Sequence, residues 1–107
     1  MKRIVNITLS SAMLLFATGI TTQAYALDGA ELYMTKTCWS CHGKDANTPI
    51  MPVYPKLAGQ NADYAYNQMK DIKSGTRSNG QAAAMKGVMG LVTDEEMRAI
   101  ADWLSTL

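Results

Sequence analysis

The stretch Cys38-Trp39-Ser40-Cys41-His42 decides how the rest of this chain is read. Two cysteines separated by two residues, with histidine directly after the second, form the c-type haem attachment signature. The spacing has a chemical reason. Each thiol adds to one vinyl group of the porphyrin, and a short loop can set two sulfurs at the separation of those vinyls. The adjacent imidazole then meets the iron from one side of the ring. Competing readings are weaker. Cys38 and Cys41 are the only cysteines, so a disulfide would close one small loop and stabilise little. A thioredoxin-like pair needs a βαβ context, and no convincing strand pattern occurs. Structural zinc needs four ligands, and two cysteines with the single histidine leave it one short.

The chain has 107 residues, enough for one domain at most. Its beginning reads as an export signal. Met1-Lys2-Arg3 supplies positive charge, 4–20 is largely apolar, and Ala24-Tyr25-Ala26 has the small-x-small form of a cleavage site. A retained membrane anchor is the alternative. Asn6, Thr8, Ser10, Ser11 and Thr18 interrupt the apolar run, which makes a poor spanning helix. The expectation is a signal peptide over 1–26, cleaved after Ala26, and one haem domain over 27–107, delivered to the periplasm without stable membrane insertion.

Losing Lys2 and Arg3 with the leader takes the formal charge from +1 to −1, since eight basic residues then face nine acidic ones. There is no basic stripe, so nucleic acid is not an expected partner. A mature domain of 81 residues has difficulty building a sufficient core from its own side chains. A large flat apolar cofactor would supply part of that core.

Three main helices are legible. Asp28 can cap a first helix over about 29–36, in which Gly29 and Tyr33 share a face as a notch and an aromatic. The haem motif is followed by a polar turn over 43–48, and then by Pro49, Pro52 and Pro55, whose density excludes helix and central strand. A carbonyl of this loop could fix His42, because a metal-bound imidazole usually donates its other N–H to an acceptor. Gln60 or Asn61 starts a second helix over about 62–73, ended by Gly75. The last helix has the clearest signal, with Thr93 as N-cap, Glu96 three residues on, and Met97, Ile100, Ala101 and Leu104 on one apolar face. An all-α fold is expected.

With no second histidine in the chain, a sixth iron ligand would come from a thioether. Met34 lies too near Cys38 to cross the ring plane, and Met51 sits in the proline loop on the His42 side. Met69 and Met97 read as core. Met85 and Met89 remain, in a stretch read as flexible between two helices. A His/Met iron has a raised reduction potential and suits electron transfer, whereas an open position suits ligand binding.

These residues resemble the small bacterial class I cytochromes c, near the cytochrome c4 and c-553 group. The resemblance runs from about Gly29 to Leu107. It rests on Cys-Trp-Ser-Cys-His-Gly at 38–43, Tyr-Pro-Lys-Leu-Ala-Gly-Gln at 54–60, Gln68-Met69, Lys-Ser-Gly-Thr-Arg-Ser-Asn at 73–79, Met85, and Val-Thr-Asp-Glu-Glu-Met at 92–97. It implies the class I cytochrome c fold, with loops and three main helices around one covalent haem c. By family spacing the axial methionine stands nine residues before Asp94, which is Met85; Met89 is the fallback. The proline whose carbonyl supports His42 maps to Pro55. Gly29, Tyr33, Ile100 and Trp103 fit the family's crossing of first and last helices. Arg77 and Asn79 match a family segment, either as propionate contacts or as a plain solvated loop.

The resemblance implies a periplasmic monohaem one-electron carrier, a monomer and not an enzyme, serving an oxidase, reductase or dehydrogenase. A haem subunit fixed on a larger oxidoreductase, such as a sulfur-compound or flavin dehydrogenase, is the alternative. A haem gas sensor is a third reading.

Overall fold

The computed structural model describes residues 12–19 and 26–107. The expected leader and its cleavage site therefore lie largely outside the described residues. Residues 12–19 form neither helix nor strand. Among the described residues, no helix is long and apolar enough to cross a membrane.

Among the described residues five helices carry the fold: α1 (Gly29–Thr35), α2 (Trp39–His42), α3 (Ala62–Ser74), α4 (Ala82–Met89) and α5 (Asp94–Leu104). No strand occurs among the described residues. The three helices legible in the sequence are α1, α3 and α5, each started by a side-chain cap. Asp28 accepts from the Glu31 N–H at 3.2 Å, and Asn61 accepts from the Tyr64 N–H at 3.0 Å. At α5 the box is reciprocal, because the Thr93 hydroxyl accepts from the Glu96 N–H while the Glu96 carboxylate accepts from the Thr93 N–H.

The stretch bearing Met85 and Met89 corrects the flexible-loop reading, since it is helix α4. Ala82, Ala83, Ala84, Met85 and Lys86 are good helix formers. Gly87 has open space where a side chain would stand, so its presence costs only propensity. Gly87 and Gly90 had masked an eight-residue helix.

Helix α5 packs against both α1 and α3, and α3 packs against α4. The α1–α5 crossing depends on Gly29. A Cβ there would lie 2.2 Å from the Ala99 carbonyl oxygen and 2.6 Å from Trp103 Cβ, so the two backbones meet at a distance only glycine permits. One turn on, the Tyr33 and Trp103 rings are tilted against each other at 5.1 Å between centroids. The buried apolar residues include Tyr33, Ile72, Met89, Met97, Ile100 and Leu104. Five of these six, all but Met97, also line one cavity. The core is thus built around a space.

Candidate haem-binding site

The attachment motif is one helical turn. Thr37, at φ 64°, takes the chain out of α1, and the Cys38 N–H donates to the Tyr33 carbonyl at 3.1 Å. From there the His42 N–H reaches the Cys38 carbonyl at 3.1 Å. In this turn Cys38 and Cys41 are three residues apart and share a face, as helical neighbours do. They are not joined by a disulfide. Burial, with a smaller contribution from Cys41, pushes the free Cys38 thiol up to about 11.

Gly43 ends the turn at φ 88°, where a Cβ would lie 2.3 Å from the Thr48 carbonyl oxygen. Its own carbonyl accepts the Tyr33 hydroxyl at 2.6 Å, tying the motif to the α1–α5 crossing. Burial holds the Tyr33 phenol well above its usual range, with Cys38 and Asp45 adding to the effect. Asp45 gathers the next turn by accepting from the Asn47 and Thr48 N–H groups, each at 2.9 Å, and from the Thr48 hydroxyl. Those bonds keep its carboxyl below the ordinary value.

The proline loop then returns to the histidine. Its far end is fastened by the Ala46 carbonyl, which accepts from Leu57 at 2.7 Å and Ala58 at 2.9 Å. His42 is buried at 4% exposure, and its Nδ1 lies 2.8 Å from the Pro55 carbonyl oxygen. A carbonyl can only accept, so Nδ1 is the donor in this contact, and Nε2 is the ring nitrogen left for a metal.

A cavity of about 470 Å³ opens beside these groups, within the range of small-molecule and cofactor sites, about 300–1,000 Å³. Cys38, Cys41 and His42 line it, and so do Met69, Met85 and Met89. Met34 and Met51 are exposed away from it, and Met97 lies fully in the core. Met89 is 1% exposed, whereas Met85 is half-buried. The core reading of Met69 thus covers only part of its surroundings.

Arg77 and Asn79 also line the cavity. The Arg77 Nη1 donates to Gln68 Oε1 at 2.9 Å, a contact with no sequence signal beyond the proximity of Gln68 to a helical apolar face. Lys56 adds a second cation, and no carboxylate side chain lines the space. Two thiols, a buried imidazole with one free nitrogen, thioethers, apolar walls and unopposed cations suit a porphyrin bearing iron and two propionates. The donor set fits haem c.

The family model for cytochrome c matches residues 26–107. The chain belongs to the cytochrome c family. Cytochrome c-553 of Nitratidesulfovibrio vulgaris (strain DSM 19637 / Miyazaki F) is 36% identical over 107 residues, covering 100% of both chains. Cytochrome c4 of Stutzerimonas stutzeri is 36% identical over 101 residues, or 87% of this chain and 48% of the relative. A thiosulfate dehydrogenase electron acceptor of Stutzerimonas stutzeri (strain A1501) is 35% identical over 95 residues, 82% of this chain and 43% of that one. The chain spans about half the length of these last two relatives. The all-helical fold agrees with this family, the cofactor of the cytochrome is covalently bound haem c, and its work is electron transfer.

Proposed function

We propose that this cytochrome is a periplasmic, monomeric one-electron carrier whose iron is held by His42 and Met85. The observation that carries the reading is the convergence on one cavity of Cys38, Cys41 and His42 with the methionines of α4. When bound, haem c supplies the Fe(III)/Fe(II) couple. The residues do the rest. Cys38 and Cys41 hold the ring through two thioethers, and His42 presents Nε2 because Pro55 engages Nδ1. The thioether of Met85 favours the reduced state and closes the iron to small ligands. Arg77 and Asn79 stand at the cavity as partners for propionates.

Support for Met85 over Met89 is its family spacing before Asp94 and its half-buried position on α4. Periplasmic delivery rests on the charged start, apolar run and cleavage motif over 1–26. Two of the relatives are named thiosulfate dehydrogenase electron acceptors, which favours a dehydrogenase of a sulfur compound as a donor to this cytochrome. That donor fits a free carrier and a docked subunit alike.

The experiment is stopped-flow mixing of the purified, oxidised holoprotein with thiosulfate dehydrogenase and thiosulfate, together with carbon monoxide titration of the reduced form. Rapid reduction, a monomeric sedimentation profile and no carbon monoxide adduct are expected. A stable complex surviving sedimentation would favour the subunit reading. A ready carbon monoxide adduct would replace the carrier with the sensor.

A further inference from the structure

The turn joining α4 to α5 is fastened on both of its hydrogen-bonding sides. Its donors are spent locally. The N–H groups of Gly90, Leu91 and Val92 donate to the carbonyls of Lys86, Val88 and Met89 at 3.0–3.1 Å. Next, the Thr93 N–H is taken by the Glu96 carboxylate. Its acceptors are met by two lysines from two other helices. Lys36, the C-cap of α1, reaches the Leu91 carbonyl with Nζ at 2.9 Å and the Glu96 carboxylate at 3.2 Å. Lys73, in the last turn of α3, donates from Nζ to the Val92 carbonyl.

These contacts are not where lysines usually end. A lysine ammonium is strongly hydrated and normally swings to water. Lys73 makes no ion pair among the described residues, yet its Nζ ends on a main-chain carbonyl of Val92, a residue 1% exposed. Charge-assisted bonds of this kind are roughly twice as strong as neutral ones. The element they restrain is weak by itself, because a helix of eight residues is well below the length at which isolated helices persist. α4 is also the element that carries both candidate thioethers.

We propose that Lys36 and Lys73 are positioning residues that clamp the α4–α5 turn and so set how readily the α4 methionine leaves the iron. The inference rests on the reading that a methionine of α4 is the sixth ligand, and it holds for either Met85 or Met89. Met89 is buried and Met85 is half-buried at the cavity wall, so a shift of α4 carries either thioether away from the cavity. The clamp makes that shift break two bonds to charged donors. Release is heterolytic: the sulfur departs with its lone pair, an incoming imidazole nitrogen donates its own, and the iron keeps its oxidation state.

The test is the rate at which oxidised holoprotein binds added imidazole at saturation, where methionine release is limiting. Lys73→Met is expected to raise that rate about tenfold, the worth of one hydrogen bond to a charged group. Lys36→Met should raise it too, and Lys73→Arg, which keeps a charged donor, should restore a rate near the parent's. Lys70→Met is the charge-matched control. Lys70 is exposed on α3 with its ammonium over the Tyr66 ring, and its loss should leave the rate unchanged. Equal rates for the parent, Lys36→Met and Lys73→Met overturn the clamp, as does an equal acceleration in Lys70→Met. Should Lys73→Met not accumulate with haem, the Lys36→Met rate alone decides. A parent protein with no sulfur-to-iron charge-transfer band would instead overturn the ligand reading beneath the proposal.

Discussion

Met85 and Met89 stand one helical turn apart on α4 and line the same cavity, so substitution separates their roles. Replacing Met85 by Ala should abolish the weak sulfur-to-iron band of the oxidised protein, open the iron to cyanide and lower the reduction potential. Met89→Ala should keep the band and cost about 2–5 kcal/mol in denaturant unfolding, as expected for a buried methionine. The opposite pattern would exchange the two. His42, Cys38 and Cys41 were legible because their chemistry requires neighbours in sequence. The Pro55 contact came from family spacing; nothing local singles out that carbonyl among its loop. The partners of Lys36, Lys73 and Gln68 could not be read from the sequence, since each contact joins residues that only the folded chain brings together.

At the scale of elements, α5 was the most legible because its signal is doubled: a capping box and an unbroken apolar face. α2 was hidden, four residues being too few for periodicity. The α1–α5 crossing offers a direct test. Gly29→Val should destabilise the holoprotein by about 1–3 kcal/mol, the usual cost of overpacking, with a lower thermal midpoint but an unchanged visible spectrum. The start of α5 gives a pH dependence. Bonds from the Thr93 N–H and from Lys36 hold the Glu96 carboxyl below its ordinary value. A carboxyl lowered in the folded state contributes stability above its unfolded pKa, and loses it as the pH falls through the folded pKa. Glu96→Gln, which keeps an acceptor but cannot ionise, should therefore flatten the fall of thermal midpoint on acidification below roughly pH 5. A parallel fall in both proteins would assign acid sensitivity elsewhere.

Taken whole, the molecule uses much of its buried apolar surface as walls, with Met97 and Val92 as filling behind them. Tyr33, Ile72, Met89, Ile100 and Leu104 are buried and also face the cavity. Apoprotein, made without haem attachment, should show poor amide dispersion and no cooperative melt; a sharp transition would mean that the walls close on themselves. The sequence foretold a small core needing a cofactor, but not its shape, because a cavity is a property of several helices at once.

The Gly29 notch has one more effect. By seating α1 directly on α5, it joins the first helix of the domain to the last, and the backbone trace becomes a ring fastened non-covalently. A ring can be opened once without falling apart. Gly80 lies in an exposed turn, with no neighbour within 4 Å of where a side chain would stand. Holoprotein nicked at the Asn79–Gly80 bond should therefore stay assembled on gel filtration, its two fragments held by α5 against α1 and α3 and by α4 against α3. The same nick in a Gly29→Val background should lower the denaturant concentration at which they part, because α1 then holds α5 less firmly while α3 still packs on it.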